Sequence, residues 1–106
     1  MTVVNITPQD GVRDFPAGTV PGIMHVYCLG PGQAGYVIQI ANGEPAQYQI
    51  DAGHTDTFDI NGQSFLFRNY GPSTLQLLYG AAVVLDEVSQ PADPSAEQRF
   101  QSIRKG

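Results

Sequence analysis

Apolar and polar residues alternate along much of this chain with a period of two, and the alternation halts and restarts at glycine, proline and asparagine. In YVIQIA (36–41), Tyr36, Ile38 and Ile40 share one face. In AQYQI (46–50), Tyr48 and Ile50 share one face while Gln47 and Gln49 take the other. TFDI (57–60) alternates again, and SFLFRN (64–69) places Phe65 and Phe67 on the same side. IMHVYCL (23–29), TLQLLYG (74–80) and AAVVLDEV (81–88) add three apolar segments of strand length. Alternation with period two buries one face of a strand and leaves the other wet. Gly30-Pro31-Gly32 ends the strand that starts at Ile23 and NYGPS (69–73) breaks the chain before Thr74, whereas Asn42-Gly43 and Asn61-Gly62 read as tight hairpin turns, since both residue types accept positive φ. Short strands joined by such turns predict an all-β fold: a single antiparallel β-sandwich of jelly-roll type, spanning residues 23–88. The expected core is Val26, Cys28, Ile38, Ile40, Tyr48, Ile50, Phe58, Phe65, Phe67, Leu75, Leu77, Val83 and Leu85.

The two ends depart from this pattern. Residues 1–22 begin with a short apolar run and continue as TPQDGVRDFPAGTVPG, rich in proline and glycine. Proline cannot donate to a strand ladder, so this stretch reads as an extended N-terminal arm with at most a short edge strand. Residues 89–106 begin as a linker and continue as a short C-terminal helix. Ser95 and Gln98 are spaced as a capping box, and Ala96, Phe100 and Ile103 form an apolar stripe.

Composition narrows the function classes. Charged residues are 14% of the chain, against roughly 25% in an ordinary globular domain. The surface is therefore mostly neutral and polar, which suits packing against other subunits. A net charge of −5 argues against a binder of the nucleic-acid phosphate backbone, whose affinity comes from clustered Lys and Arg. Arg99, Arg104 and Lys105 crowd the C-terminus, where they suit the negative end of a helix. No apolar run reaches the roughly 20 residues of a membrane span, and the N-terminus has no signal-peptide pattern. The lone cysteine, Cys28, allows no intramolecular disulfide and reads as a buried apolar residue.

Candidate chemistry concentrates in QIDAGHTDTFDI (49–60), where Asp51, His54, Asp56 and Asp59 fall close together. His54 and Asp56 would share a strand face, but a usable metal site needs three or four converging ligands. The remaining histidine, His25, belongs to another strand. The carboxylates sit among Gly, Thr and Asn, where Asp caps turns, so a catalytic acid pair is not expected. GPGQAG (30–35) lacks a following helix and has a proline where a donor is needed, so it is no phosphate cradle. Among the tyrosines, Tyr36 and Tyr48 fall in step with core positions, which leaves Tyr70 as the exposed candidate for stacking on a sugar.

The run DAGHTDTFDINGQSFLFRNYGPSTLQLLYG (51–80) resembles the second half of a cupin-type jelly roll through Gly53, Gly62, Asn69 and Gly71. That family holds metal with a histidine pair and a later histidine. Here Ser64-Phe65-Leu66-Phe67-Arg68 contains none and no His-x-His occurs, so the resemblance implies architecture without the ligands. In size, arm and absence of a catalytic set, the chain also resembles small decoration (cement) proteins of tailed-phage heads. That likeness implies a structural, non-enzymatic virion subunit on the head surface, assembled in the host cytoplasm. Its partners would be the major capsid protein and neighbouring copies, with a trimer favoured, and with no cofactor, catalytic residue, metal, nucleic acid or membrane. Docking would use Val3, Val4, Ile6, Val12 and Phe15 of the arm and Phe100 and Ile103 of the tail. The alternatives are a carbohydrate-binding sandwich and a small cupin-like metalloenzyme using His54 and Asp56.

Overall fold

A computed structural model describes residues 1–80, 90, 91 and 100. Among the described residues seven antiparallel strands form one continuous sheet: β1 Thr2–Ile6, β2 Arg13–Phe15, β3 Ile23–Ile40, β4 Ala46–Ile50, β5 Thr55–Asp59, β6 Phe65–Tyr79 and β7 Gln90–Pro91. The expected all-β sandwich is the observed fold. Its frame is the pair β3 and β6, of 18 and 15 residues, which run antiparallel from Met24↔Tyr79 to Ile40↔Phe65.

Gly30-Pro31-Gly32 and Gly71-Pro72 do not end strands as expected. They bend them. The two bends lie opposite one another, where the β3–β6 register shifts between Cys28 and Gly30 and between Gly30 and Ala34. Both Gly-Pro peptides are cis, and Gly30 and Gly71 have φ of 91° and 82°. A proline lacks a donor, so it is tolerated where a bulge has already removed a rung from the ladder.

The bends divide the sheet into two halves. In the front half, β1 and the first part of β3 flank the end of β6, and β5 pairs with β3. In the back half, the end of β3 pairs with β4 and with the start of β6, which pairs with β2, and β2 pairs with β7. The inward faces of both halves share one core, containing Met24, Val26, Leu75 and Leu77 from the front and Tyr36, Ile38, Phe65 and Phe67 from the back. Each large side chain so buried contributes roughly 1.5–3 kcal/mol.

Asn61-Gly62 is a turn with positive φ at both residues, but it does not make a hairpin. β5 belongs to the front half and β6 starts in the back, so the turn is an arch between layers. Its backbone pairs instead with the 18–22 loop: Ile60 N donates to Gly22 O at 2.9 Å and Gly62 N to Val20 O at 2.7 Å. Asn42-Gly43, by contrast, joins strands that do pair, β3 and β4.

The first 22 residues are built into the sandwich. β1 pairs with β6 from Thr2↔Tyr79 to Ile6↔Leu75, and β2 pairs with β6 from Arg13↔Phe67 to Phe15↔Phe65. Ile6, Phe15 and Val20 are buried in the main core, and the Phe15 and Phe65 rings stack at 4.6 Å. Phe100 is helical and buried on the outer face of the back half with Val12 and Val37. The rest of the expected helix, the segment 81–88 and the core candidates Val83 and Leu85 lie outside the described residues. Of the other core candidates, Ile40 and Phe58 are partly buried against the core, and Tyr48 is 40% exposed. Tyr48 sits on edge strand β4, where the inward face reaches the open side of the sandwich.

Candidate functional site

Two places on the molecule depart from an ordinary sandwich surface. One is the outer face of the front half. On β3 the outward positions are Ile23, His25, Tyr27 and Leu29, since Met24, Val26 and Cys28 are buried. Val3 faces Leu78, which faces His25, which faces Thr57. The next rung is Asn5, Gln76, Tyr27 and Thr55. Among the described residues, Met1, Val3, Ile23, Leu29 and Tyr48 are the exposed large hydrophobics, and all but Tyr48 belong to this face. A shallow depression of about 250 Å³, lined by Met1, Ile23, His25, Leu78, Tyr79 and Gly80, lies within it. The outward positions of its four strands carry no Lys or Arg and one carboxylate, Asp59.

The other is the open edge between β4 and β5. Tyr36 is fully buried and stacks on Phe67 at 5.2 Å and on Tyr48 at 5.5 Å. Phe58 meets Tyr48 edge-on at 5.3 Å, which closes the sandwich with aromatic rings. Asp56 points inward from β5 and its Oδ2 accepts a 2.5 Å hydrogen bond from the Tyr36 hydroxyl. Burial, reinforced by that hydrogen bond and by the Asp56 charge, pushes the Tyr36 phenol well above its ordinary value. Tyr36 therefore remains a donor at any physiological pH.

The histidines do not join Asp56. His54 precedes β5 in an exposed turn, held by its N–H donating to Asp51 O at 3.1 Å and its carbonyl accepting from Cys28 N at 3.2 Å. His25 is on the outer face, with Nδ1 3.0 Å from Thr57 Oγ1. Asp56 faces the opposite side of the same sheet half, so His25, His54 and Asp56 cannot share an ion. Among the described residues no group of three His, Cys, Asp or Glu could hold a metal. Asp51 and Asp59 are exposed, as expected of turn and surface acids.

The proposed docking residues separate in the same way. Ile6, Val12 and Phe15 are buried within this chain, as is Phe100, and so are not free to meet a partner. Val4 is partly buried against the core and Val3 is 47% exposed on the front face. Ile103 lies outside the described residues. Tyr70 is no open stacking platform: it is partly buried, with the Arg68 guanidinium 4.7 Å from its ring centre. The exposed aromatic is Tyr48. Its register gives no hint of this, because an inward position on an edge strand has the same alternation as one in the centre of a sheet.

The chain matches no family model and no curated protein. Among solved structures it is similar to Streptomyces albus HEPD with substrate 2-hydroxyethylphosphonate and Fe(II) bound. The TM-score is 0.46 and the identity 22%, over 79% of this chain and 18% of that one. The chain thus spans less than a fifth of the length of that protein. The expectation that the chain is not an enzyme is corrected here, because the matched structure is that of an enzyme with metal and substrate bound. At this TM-score the likeness carries no argument for an activity or a metal in this chain.

Proposed function

We propose that this chain is a structural subunit that docks onto a larger protein assembly through the outer face of its front half. The observation that supports the reading is the grouping of Met1, Val3 and Ile23, exposed around Leu78 on one nearly uncharged sheet face of a chain with net charge −5, with Leu29 exposed farther along the same face. Exposed apolar side chains scattered singly are normal, whereas a contiguous apolar patch marks an interaction surface. A flat sheet face offers no deep pocket for a small molecule, but it fits a second flat surface with few charges to desolvate. A decoration subunit of a virion head, bound to the major capsid protein and to neighbouring copies, is the specific form we propose. The docking surface moves from the arm and tail expected from the sequence to the face beside β1.

The test uses Val3→Lys with Ile23→Lys, since both positions are about half exposed and tolerate a charge in the free chain. The native chain is expected to sediment with a large particle, and the doubly substituted chain is expected to be released as a small species. Sedimentation of the native chain as a free species of 11.4 kDa would overturn the proposal, as would retention of the substituted chain on the particle.

A further inference from the structure

The outer face of the back half holds a cavity of about 210 Å³, away from the docking face and from the β4–β5 edge. Its floor is one rung of the sheet: Asp14 on β2 lies opposite Leu66 on β6, and Leu66 lies opposite Gln39 on β3. Phe15, Phe65 and Ile38 point inward to the core, so these three neighbours point outward. The turn after β3 closes one end, where Ala41 N donates to Ser64 O at 2.7 Å and Asn42 and Ser64 line the wall. Toward the other end, Leu66 packs against Val12, Val37 and Phe100. The Gln39 amide is fixed in place, being 7% exposed with its Nε2 donating to Gly43 O at 2.8 Å. The cavity thus gathers one carboxylate, two amides and a hydroxyl around an apolar side chain held by packing.

We propose that this cavity binds a neutral sugar ring, with a C–H face against Leu66 and hydroxyls bonded to the polar groups around it. Neighbouring strands lie about 4.8 Å apart, so the backbones of Asp14 and Gln39 stand about 10 Å apart with Leu66 between them. A sugar ring has the matching pattern, apolar on its face and polar around its rim. The carboxylate accepts from hydroxyls, while the amides and the Ser64 hydroxyl both donate and accept. The volume suits a single ring, since sites for drug-sized ligands run to roughly 300–1,000 Å³. An anion would meet the Asp14 charge. A bare ammonium would find one carboxylate and no aromatic face among the lining residues, because the Phe65 ring is stacked on Phe15 in the core. The proposal is independent of docking through the front face, because the two surfaces share no residue.

Titration of the full chain with the methyl glycosides of glucose, galactose and mannose, followed by NMR of the side-chain amides, tests it. At millimolar concentration at least one glycoside is expected to shift the Gln39 and Asn42 amide signals saturably. Methoxytetrahydropyran, the same ring without hydroxyls, is expected to bind about tenfold more weakly, since it leaves the polar groups of the cavity unpaired. Asp14→Asn, at an exposed position, keeps the shape, removes the charge and is expected to weaken the glycoside about tenfold. Val3→Lys with Ile23→Lys is expected to leave glycoside affinity unchanged, which separates this site from the docking face. Amide signals unmoved by all three glycosides overturn the proposal. Equal affinity for methoxytetrahydropyran overturns it too, in a comparison that needs no variant to fold. Tighter binding of methylammonium than of any glycoside, or unchanged glycoside affinity in folded Asp14→Asn, overturns it as well.

Discussion

Asn69 shows how much of this fold one amide can hold. Fully buried beside the β6 bend, it donates through Nδ2 to the carbonyls of Ile6 and Ser73, both at 2.8 Å, and accepts from Gly71 N at 2.7 Å. The end of β1 is thereby tied to the bend of β6. Leaving these groups unpaired costs about 1–3 kcal/mol apiece, so Asn69→Ala is expected to lose about 2–4 kcal/mol in urea denaturation. Asn69→Asp keeps the acceptor but turns the donor into a second acceptor facing two carbonyls, and should be at least as damaging. A stable Asn69→Asp protein would show that the amide does not hold the bend. Tyr36 makes a prediction of the opposite kind, in pH. Its folded phenol titrates above the unfolded value of 10.0, so its contribution is complete below that pH. Above it the unfolded chain sheds a proton that the folded one keeps, and stability falls by about 1.4 kcal/mol per pH unit. Tyr36→Phe should flatten that part of the alkaline slope in denaturation midpoints measured on either side of pH 10; an unchanged slope would show that Tyr36 does not cause it.

Single strands account for the next set of effects. β2 is three residues long, yet it buries Phe15 against Phe65, so Phe15→Ala should cost about 3–5 kcal/mol. Val3→Ala, on the wet face of β1, should change stability by less than about 0.5 kcal/mol. Equal effects would mean that residues 1–22 are not built into the core as described. The bends allow a matched comparison of glycines. Gly53 and Gly71 have nearly the same positive φ, 80° and 82°, but a Cβ on Gly53 meets nothing within 4 Å, whereas one on Gly71 meets Pro8 at 2.9 Å. The conformational cost of about 1–2 kcal/mol is common to both, so Gly71→Ala should be clearly the more destabilising. The sequence suggests a stop at each Gly-Pro. It does not reveal a bend, because whether a strand continues past a proline depends on whether the neighbouring strand bends at the same place.

As a whole, the molecule is closed by contacts between distant parts of the chain: Thr2 lies opposite Tyr79, and Met24 opposite the same residue. Removing residues 1–20 would strip the partner from one side of the β6 end, expose Leu75 and Leu77, and delete Ile6, Phe15 and Val20 from the core. Such a truncated chain is expected to lose cooperative unfolding in calorimetry, not merely a docking arm. A cooperative transition near that of the full chain would restore the arm reading. Because the N-terminal segment supports the core and also supplies Met1 and Val3 to the front face, docking has to be probed by surface substitutions.

Period-two alternation and the turn residues were sufficient for the all-β class, for β4 and β5 and for much of the core, because those features depend on neighbours along the chain. The burial of Cys28 and the turn at Asp51–His54 were legible for the same reason. The cluster of acids in QIDAGHTDTFDI was not divisible by that means. Asp51, Asp56 and Asp59 look alike in sequence, and only the packing of β5 beside β3 turns Asp56 inward to Tyr36 while His25 faces out. The same holds for Ile6 and Phe15, for the arch at Asn61-Gly62 and for the exposure of Tyr48. Each depends on which strand lies opposite or across the layer, and those partners come from sheet pairing between residues far apart in the chain.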